Sequence, residues 1–194
     1  MQGNVGPNID CLLAQQARAL GKFFADTRYT VIHTSDLKRA FGTAQALYGA
    51  QKDPKPTFDS SELLREQHFG VAEGKPWSYN SSRNVNLEQE MAKGVYPSLH
   101  GGDEKFPGGE SIYELGQRAR RAMTTLLLPH VQAAKEGKTG IHVAVVGHGL
   151  CISQMIPELL KISTKQAIDI VDYRGLLNTA WTRLVIDIEV RMLG

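Results

Sequence analysis

"VAVVGHGL" occupies residues 143–150: four small or branched apolar residues run into a histidine held between two glycines. A short apolar run rich in β-branched residues reads as a buried strand. The glycines beside His148 let the backbone approach another group closely. In open α/β sheets, ligands gather beyond the carboxyl ends of the strands. A lone histidine is usually a core residue bonded to a backbone carbonyl, but here the setting favours a functional one.

Working outward, "YTVIH" (29–33) predicts a second strand,. It leads into "TSDLKRAFGTAQALYGA", where Leu37, Ala40, Phe41, Ala44, Leu47 and Tyr48 predict a helix that Ser35 is placed to cap,. Upstream, Leu13, Ala17, Leu20 and Phe24 keep the spacing of a helix face,. Downstream, Ser111 and Glu114 form an S-x-x-E capping box ahead of Ile112, Leu115, Ala119, Ala122 and Leu126,. A helix is expected from about Gly149 to Lys161, then a strand over 179–190. Residues 70–109, rich in Gly, Pro, Ser and Asn, predict a long lid or binding loop with one short helix near "NLEQEMAKG",. Strands alternating with helices predict an α/β three-layer sandwich with a largely parallel central sheet, formed by one domain over 1–194.

The totals agree with one globular domain: 194 residues, 42% hydrophobic and 22% charged,. A net charge of +2 does not suggest nucleic acid as a partner,. The densest basic cluster, "QRARRAM" (117–123), reads as a solvated helix face. Cys11 and Cys151 make no disulfide framework and fit a reducing compartment,. No apolar run is long enough for a bilayer, and "MQGNVGPNID" lacks the features of a secretory signal, so a cytoplasmic protein with no membrane partner is expected,.

Two further residues are candidates for chemistry. Arg39 lies near the start of the second helix, where free N–H groups and the helix dipole favour an anion. Its guanidinium fork suits phosphate oxygens, although pairing with Asp36 is an equal alternative. Glu66 stands beside Leu63, Leu64 and Phe69, an apolar setting that favours a protonated carboxyl and hence a proton donor. Rival chemistries fit less well. "HGLC" (148–151) lacks the arginine six residues after the cysteine that a cysteine phosphatase needs, since position 157 is Pro. His142 and His148 have no carboxylate or cysteine at ligand spacing, so no metal is expected. There is no phosphate-binding G-x-x-x-x-G-K-[ST] run.

In order along the chain, these segments resemble the histidine phosphatase superfamily, also called phosphoglycerate-mutase-like. "HTSDLKRAFGTA" is similar to its S-D-L-x-R-A-x-x-T-A helix and "LLREQHFGVAEG" to its L-x-E-x-x-F-G-x-x-E-G stretch. "PGGES" and "VVGHG" resemble its turn and its second histidine loop, and "MQG" the segment after its first loop. The resemblance implies phosphoryl transfer from a small phosphomonoester to a histidine and then to water, without a cofactor. It assigns His148 and Arg39 to the phosphate, Glu66 to the leaving group as general acid, and Gln2, Gly3 and Gly149 to the substrate's surroundings. Lys75, Trp77, Arg83, His100 and Lys105 are candidates for selecting the substrate, each with an ordinary loop reading beside it. A phosphatase is preferred to a mutase, because the chain is short for a glycolytic mutase with its extra lid segments. A non-catalytic relative that binds a phosphorylated ligand or a protein is the other class.

The resemblance also exposes a gap. The family's nucleophile stands in an R-H-G motif at the end of a first strand beside "VAVV", and no R-H-G occurs in this sequence. That central strand is therefore expected to be missing from this chain. Either the natural product extends further, or another segment fills the place, for example by subunit exchange in a homodimer.

Overall fold

The computed structural model describes residues 7–78, 86–99, 101–163 and 177–186. Helix α1 (Pro7–Phe23) leads to strand β1 (Val31–Ser35), followed by α2 (Lys38–Gly49) and strand β2 (Thr57–Ser61). An excursion follows, holding β3 (Trp77–Ser78), α3 (Leu87–Ala92) and β4 (Tyr96–Pro97). After it come α4 (Ile112–Ala122), α5 (Leu128–Lys135), β5 (Val143–Val146) and α6 (Gly149–Ser163). The main sheet is parallel in the order β2-β1-β5, with His33 opposite Asp59 on one side and Val145 on the other.

Successive residues of a strand point to opposite faces, so β1 feeds two cores. Ile32 packs with Ala44 and Leu47 of α2, flanked by Phe24, Tyr29 and Phe58. On the other face, Leu64 joins Leu115, Ala119 and Ala122 of α4, Met123, and Cys151 and Met155 of α6, with Val145 packed against them. The result is the expected α/β sandwich with a parallel sheet between helical layers. Among the described residues no helix is long and apolar enough to cross a membrane.

Several local expectations hold and others need correcting. Both halves of the Ser111–Glu114 capping box are formed. Ser35 does not cap α2: it ends β1, Leu37 takes the N-cap position, and Ser35 Oγ accepts the Leu37 N–H at 3.2 Å. Strand β2 has no signal in the sequence, because "TFDSS" is an edge strand with a mostly exposed, polar pattern,. The helix begun at α4 passes through a π turn (Met123–Leu127) before α5. Pro129 follows that turn and has no N–H to continue a regular ladder. The excursion is more than a loop, since Phe106 is fully buried and edge-on to Trp77, which also meets Phe69.

The strand expected over 179–190 is absent from the described part of that stretch, residues 179–186, while 187–190 lie outside the description. Trp181 instead packs against the rings of Phe23 and Phe24. A strand needs a hydrogen-bonded neighbour, and none lies beside these residues within the described structure. The same holds for the far edge of β5. Its four residues are half-buried where all five of β1 are buried, so "VAVV" is covered less than its sequence suggests. That edge borders a broad groove whose lining includes Leu20, Val145, Met155, Ile156 and Trp181.

Two glycines test the packing with opposite signs. A Cβ on Gly21 of α1 would sit 2.5 Å from the Ala46 carbonyl oxygen of α2, whereas one on Gly42 would meet nothing within 4 Å. Gly21→Ala should therefore lower stability by about 1–3 kcal/mol through overpacking. Gly42→Ala should raise it by up to about 1 kcal/mol through helix propensity. Denaturant titration of both variants reads the two signs; equal effects would contradict the α1–α2 contact.

Candidate active site

The carboxyl ends of β1 and β5 bring Ser35 and His148 together, and the helices that follow start there. His148 is 4% exposed. Its Nδ1 accepts a hydrogen bond from Arg39 Nη2 at 2.9 Å, and its Nε2–H donates to Ser35 Oγ at 3.0 Å. An arginine can only donate, so this contact fixes the proton on Nε2. Burial, then the charges of Arg39 and Arg118, push the His148 pKa down to about 4, against the pull of Asp36. The imidazole is therefore neutral at pH 7.

Arg39 is free for this role because Asp36 is taken. Arg65 Nε bonds Asp36 Oδ1 at 2.8 Å and Arg65 Nη2 bonds Oδ2, which holds the Asp36 carboxyl below its usual range. The alternative pairing of Arg39 with Asp36 is thereby excluded in this structure. Lys38, the first residue of α2, lines the same cleft.

Glu66 reaches the site from the loop after β2, but its setting differs from the apolar one expected. Its Oε1 accepts the N–H groups of Gln67 at 3.0 Å and Cys151 at 3.2 Å, and its Oε2 that of Leu150 at 3.4 Å. It thus covers the first turn of α6, two residues from His148 in the chain. Gly149 is the first residue of that helix. Gln2 and Gly3 lie outside the described residues, as do Arg83 and His100. Trp77 lines the cleft, Lys75 is exposed, and Lys105 pairs with Glu114.

Sequence reasoning misses the group that holds this loop in place. Arg118 sits in the cluster read as a solvated face, yet its side chain is only 13% exposed. Its Nε and Nη2 bond both carboxylate oxygens of Glu110, its Nη1 the carbonyls of Leu63 and Arg65, and its Nη2 that of Glu66. The solvated reading does hold for Arg120 and Arg121. The one signal that could have found it is the "PGGES" turn, whose Glu110 precedes Arg118 by eight residues. Cys151, the cysteine of the rejected "HGLC" reading, is fully buried, and burial pushes its thiol up to about 11. It is not a thiolate at neutral pH.

The model of the histidine phosphatase superfamily (branch 1) matches residues 1–191, and the chain belongs to that superfamily. Its relatives include both mutases and phosphatases. It is 27% identical over 151 residues to a 2,3-bisphosphoglycerate-dependent phosphoglycerate mutase of Gloeobacter violaceus, covering 78% of this chain and 64% of the relative. It is 30% identical over 126 residues to fructose-2,6-bisphosphatase TIGAR B of Danio rerio, covering 62% of this chain and 45% of the relative. The chain thus spans less than two thirds of either. Among solved structures, a mycobacterial glucosyl-3-phosphoglycerate phosphatase matches at TM-score 0.55 and 21% identity, over 85% of this chain and 71% of that one. A phosphoglycerate mutase of Bacillus anthracis matches at TM-score 0.54 and 24% identity, over 78% of this chain and 68% of that one. Both likenesses bear on the fold.

The lowered pKa of His148 is also a statement about stability. The folded state binds this proton less readily than the unfolded chain, so stability should fall as pH drops from 6.5 towards about 4,. The size is on the order of 3 kcal/mol. His148→Gln should remove this limb from the stability–pH profile measured by denaturation. An unchanged slope would mean that folding does not lower the proton affinity of His148.

Proposed function

We propose that this protein is a phosphomonoester phosphatase acting through a phosphohistidine intermediate, with small phosphorylated metabolites as its substrate class. The observation that carries the reading is the 2.9 Å contact between Arg39 and His148 at the joint of two strand ends and two helix starts. A phosphate entering there would take parallel hydrogen bonds from the guanidinium fork. Its negative charge beside the imidazole would favour the protonated form, so His148 would become a second cation as the ligand binds.

In the first step a nucleophilic histidine nitrogen attacks phosphorus, the P–O bond to the leaving group breaks, and Glu66, as general acid, gives that oxygen its proton. Oε2 is the oxygen suited to carry it, because its single backbone contact at 3.4 Å is the loosest. In the second step water attacks phosphorus, the P–N bond breaks, and the Glu66 carboxylate takes the water's proton.

The nucleophile is supplied, in this reading, by a histidine on a segment paired in parallel with the open edge of β5. Such a strand would end beside His148. The described histidines other than His148 have contacts elsewhere: His33 with His130, His68 with the Gly108 carbonyl, and His142 with that of Arg28. That distribution also favours a second reading, a non-catalytic relative that binds a phosphorylated ligand or a protein through the same pocket. A phosphoglycerate mutase is the third. A cytoplasmic location fits all three.

Phosphate binding tests the pocket, and turnover tests the roles assigned within it. Inorganic phosphate binding, followed by calorimetry, should weaken at least about tenfold when Arg39→Ala and His148→Ala are combined, each removing a charge-assisted contact. Unchanged binding would remove the pocket assignment. Without an R-H-G histidine, the chain should form no acid-labile phosphohistidine from a radiolabelled phosphomonoester. Turnover by this chain that His148→Ala alone abolishes would overturn these roles.

A further inference from the structure

Away from the pocket, the register of the sheet sets a second group of titratable side chains together. His33 stands opposite Asp59 across β1 and β2. Its ring meets that of His130 from α5, with centroids 5.7 Å apart and planes at 51°. The two Nε2 atoms are 3.4 Å apart. His33 is 6% exposed, and its buried Nδ1 has no hydrogen-bond partner, although Asp59 Oδ2 lies 3.9 Å away. His130 is half-buried and lines the groove beside β5, which gives the pair a route to solvent.

Three features of this group fit a cation better than a simple ring-to-ring hydrogen bond. The separation is beyond the ordinary N–H···acceptor range of about 2.7–3.2 Å. It does equal the bite of a tetrahedral zinc ion, because two nitrogens at about 2.0–2.1 Å from the metal lie about 3.3–3.4 Å apart. Asp59 stands where an outer carboxylate would take the Nδ1 proton of His33, turning the Nε2 lone pair towards His130.

We propose that His33 and His130 form a two-imidazole site for a borderline divalent cation, zinc being the reference ion, with Asp59 orienting His33. No group of three or more histidine, cysteine, aspartate or glutamate side chains is arranged to hold a metal among the described residues. The remaining positions of the ion would therefore be open to water or an added donor, as in open zinc sites. Spacing along the chain could not show this pair, since its members are 97 residues apart.

Calorimetric titration of the protein with zinc chloride, in a buffer free of phosphate, tests the site. The unmodified chain should show one saturable site. His130→Gln, on a half-buried helix position, should weaken it at least about tenfold by removing one of two protein ligands, and Asp59→Asn should weaken it about 10–100-fold. Cys11→Ser and His142→Gln should bind as the unmodified chain does. Absence of saturable binding in the unmodified chain, or unchanged binding in folded His130→Gln as judged by circular dichroism, would overturn the site.

Discussion

The guanidinium of Arg118 makes five hydrogen bonds, and the position of the acidic side of the pocket depends on them. Three go to carbonyls of the loop at Leu63, Arg65 and Glu66, and two go to Glu110. A loop carrying unpaired carbonyls would be costly to bury. Arg118 satisfies them from α4, so the loop is fastened to the helix rather than to the sheet. Glu66 is thereby fixed, and it in turn covers the first turn of α6 next to His148. Breaking a buried pair such as Arg118–Glu110 typically costs about 3–5 kcal/mol, because a buried charge is left behind. Arg118 therefore belongs to the site's architecture without touching the place where a phosphate would lie.

The other constraint is the sheet. β1 is hydrogen-bonded on both sides and fully buried, and it delivers Ser35 and Asp36 to the pocket at a fixed height. β5 delivers His148 from beside it, but is bonded on one side only among the described residues. Among the described residues, its half-buried valines border the groove on that side. The residues from 177 to 186 lie along the same groove; part of them reads as a strand and is not one.

How much of this is legible in the sequence follows from which signals are local. Helices α1, α2, α4 and α6 and strands β1 and β5 have apolar periodicity or β-branched runs, and the sequence shows all of them. β2 has neither, because an edge strand facing water needs few apolar residues. The strand expected over 179–190 fails for the opposite reason: its composition is right, but strand formation depends on a neighbour. Arg39 and His148 are visible as strand-end and helix-start residues. Their pairing is not, because it depends on Arg65 occupying Asp36 from another loop, 29 residues away. Arg118 looks like one of three similar arginines, and only its partner Glu110 and the loop carbonyls set it apart.

The balance of charge in the pocket follows from these placements. Arg39 faces a neutral imidazole rather than a carboxylate, so its charge is not cancelled by an ion pair. Asp36, the nearest acid, is neutralised by Arg65, and Glu66 is directed to backbone N–H groups. The pocket therefore sets an exposed, uncancelled guanidinium against a buried neutral imidazole,. Under the proposed function, a phosphate dianion would accept from Arg39 and, by raising the proton affinity of His148, would draw a second positive charge from water. Affinity should then rise as pH falls below the pKa His148 has in the complex, towards the value of about 4 in the free protein, the opposite of the trend in stability of the free protein,. One histidine gives both slopes because burial opposes its charge until an anion is beside it.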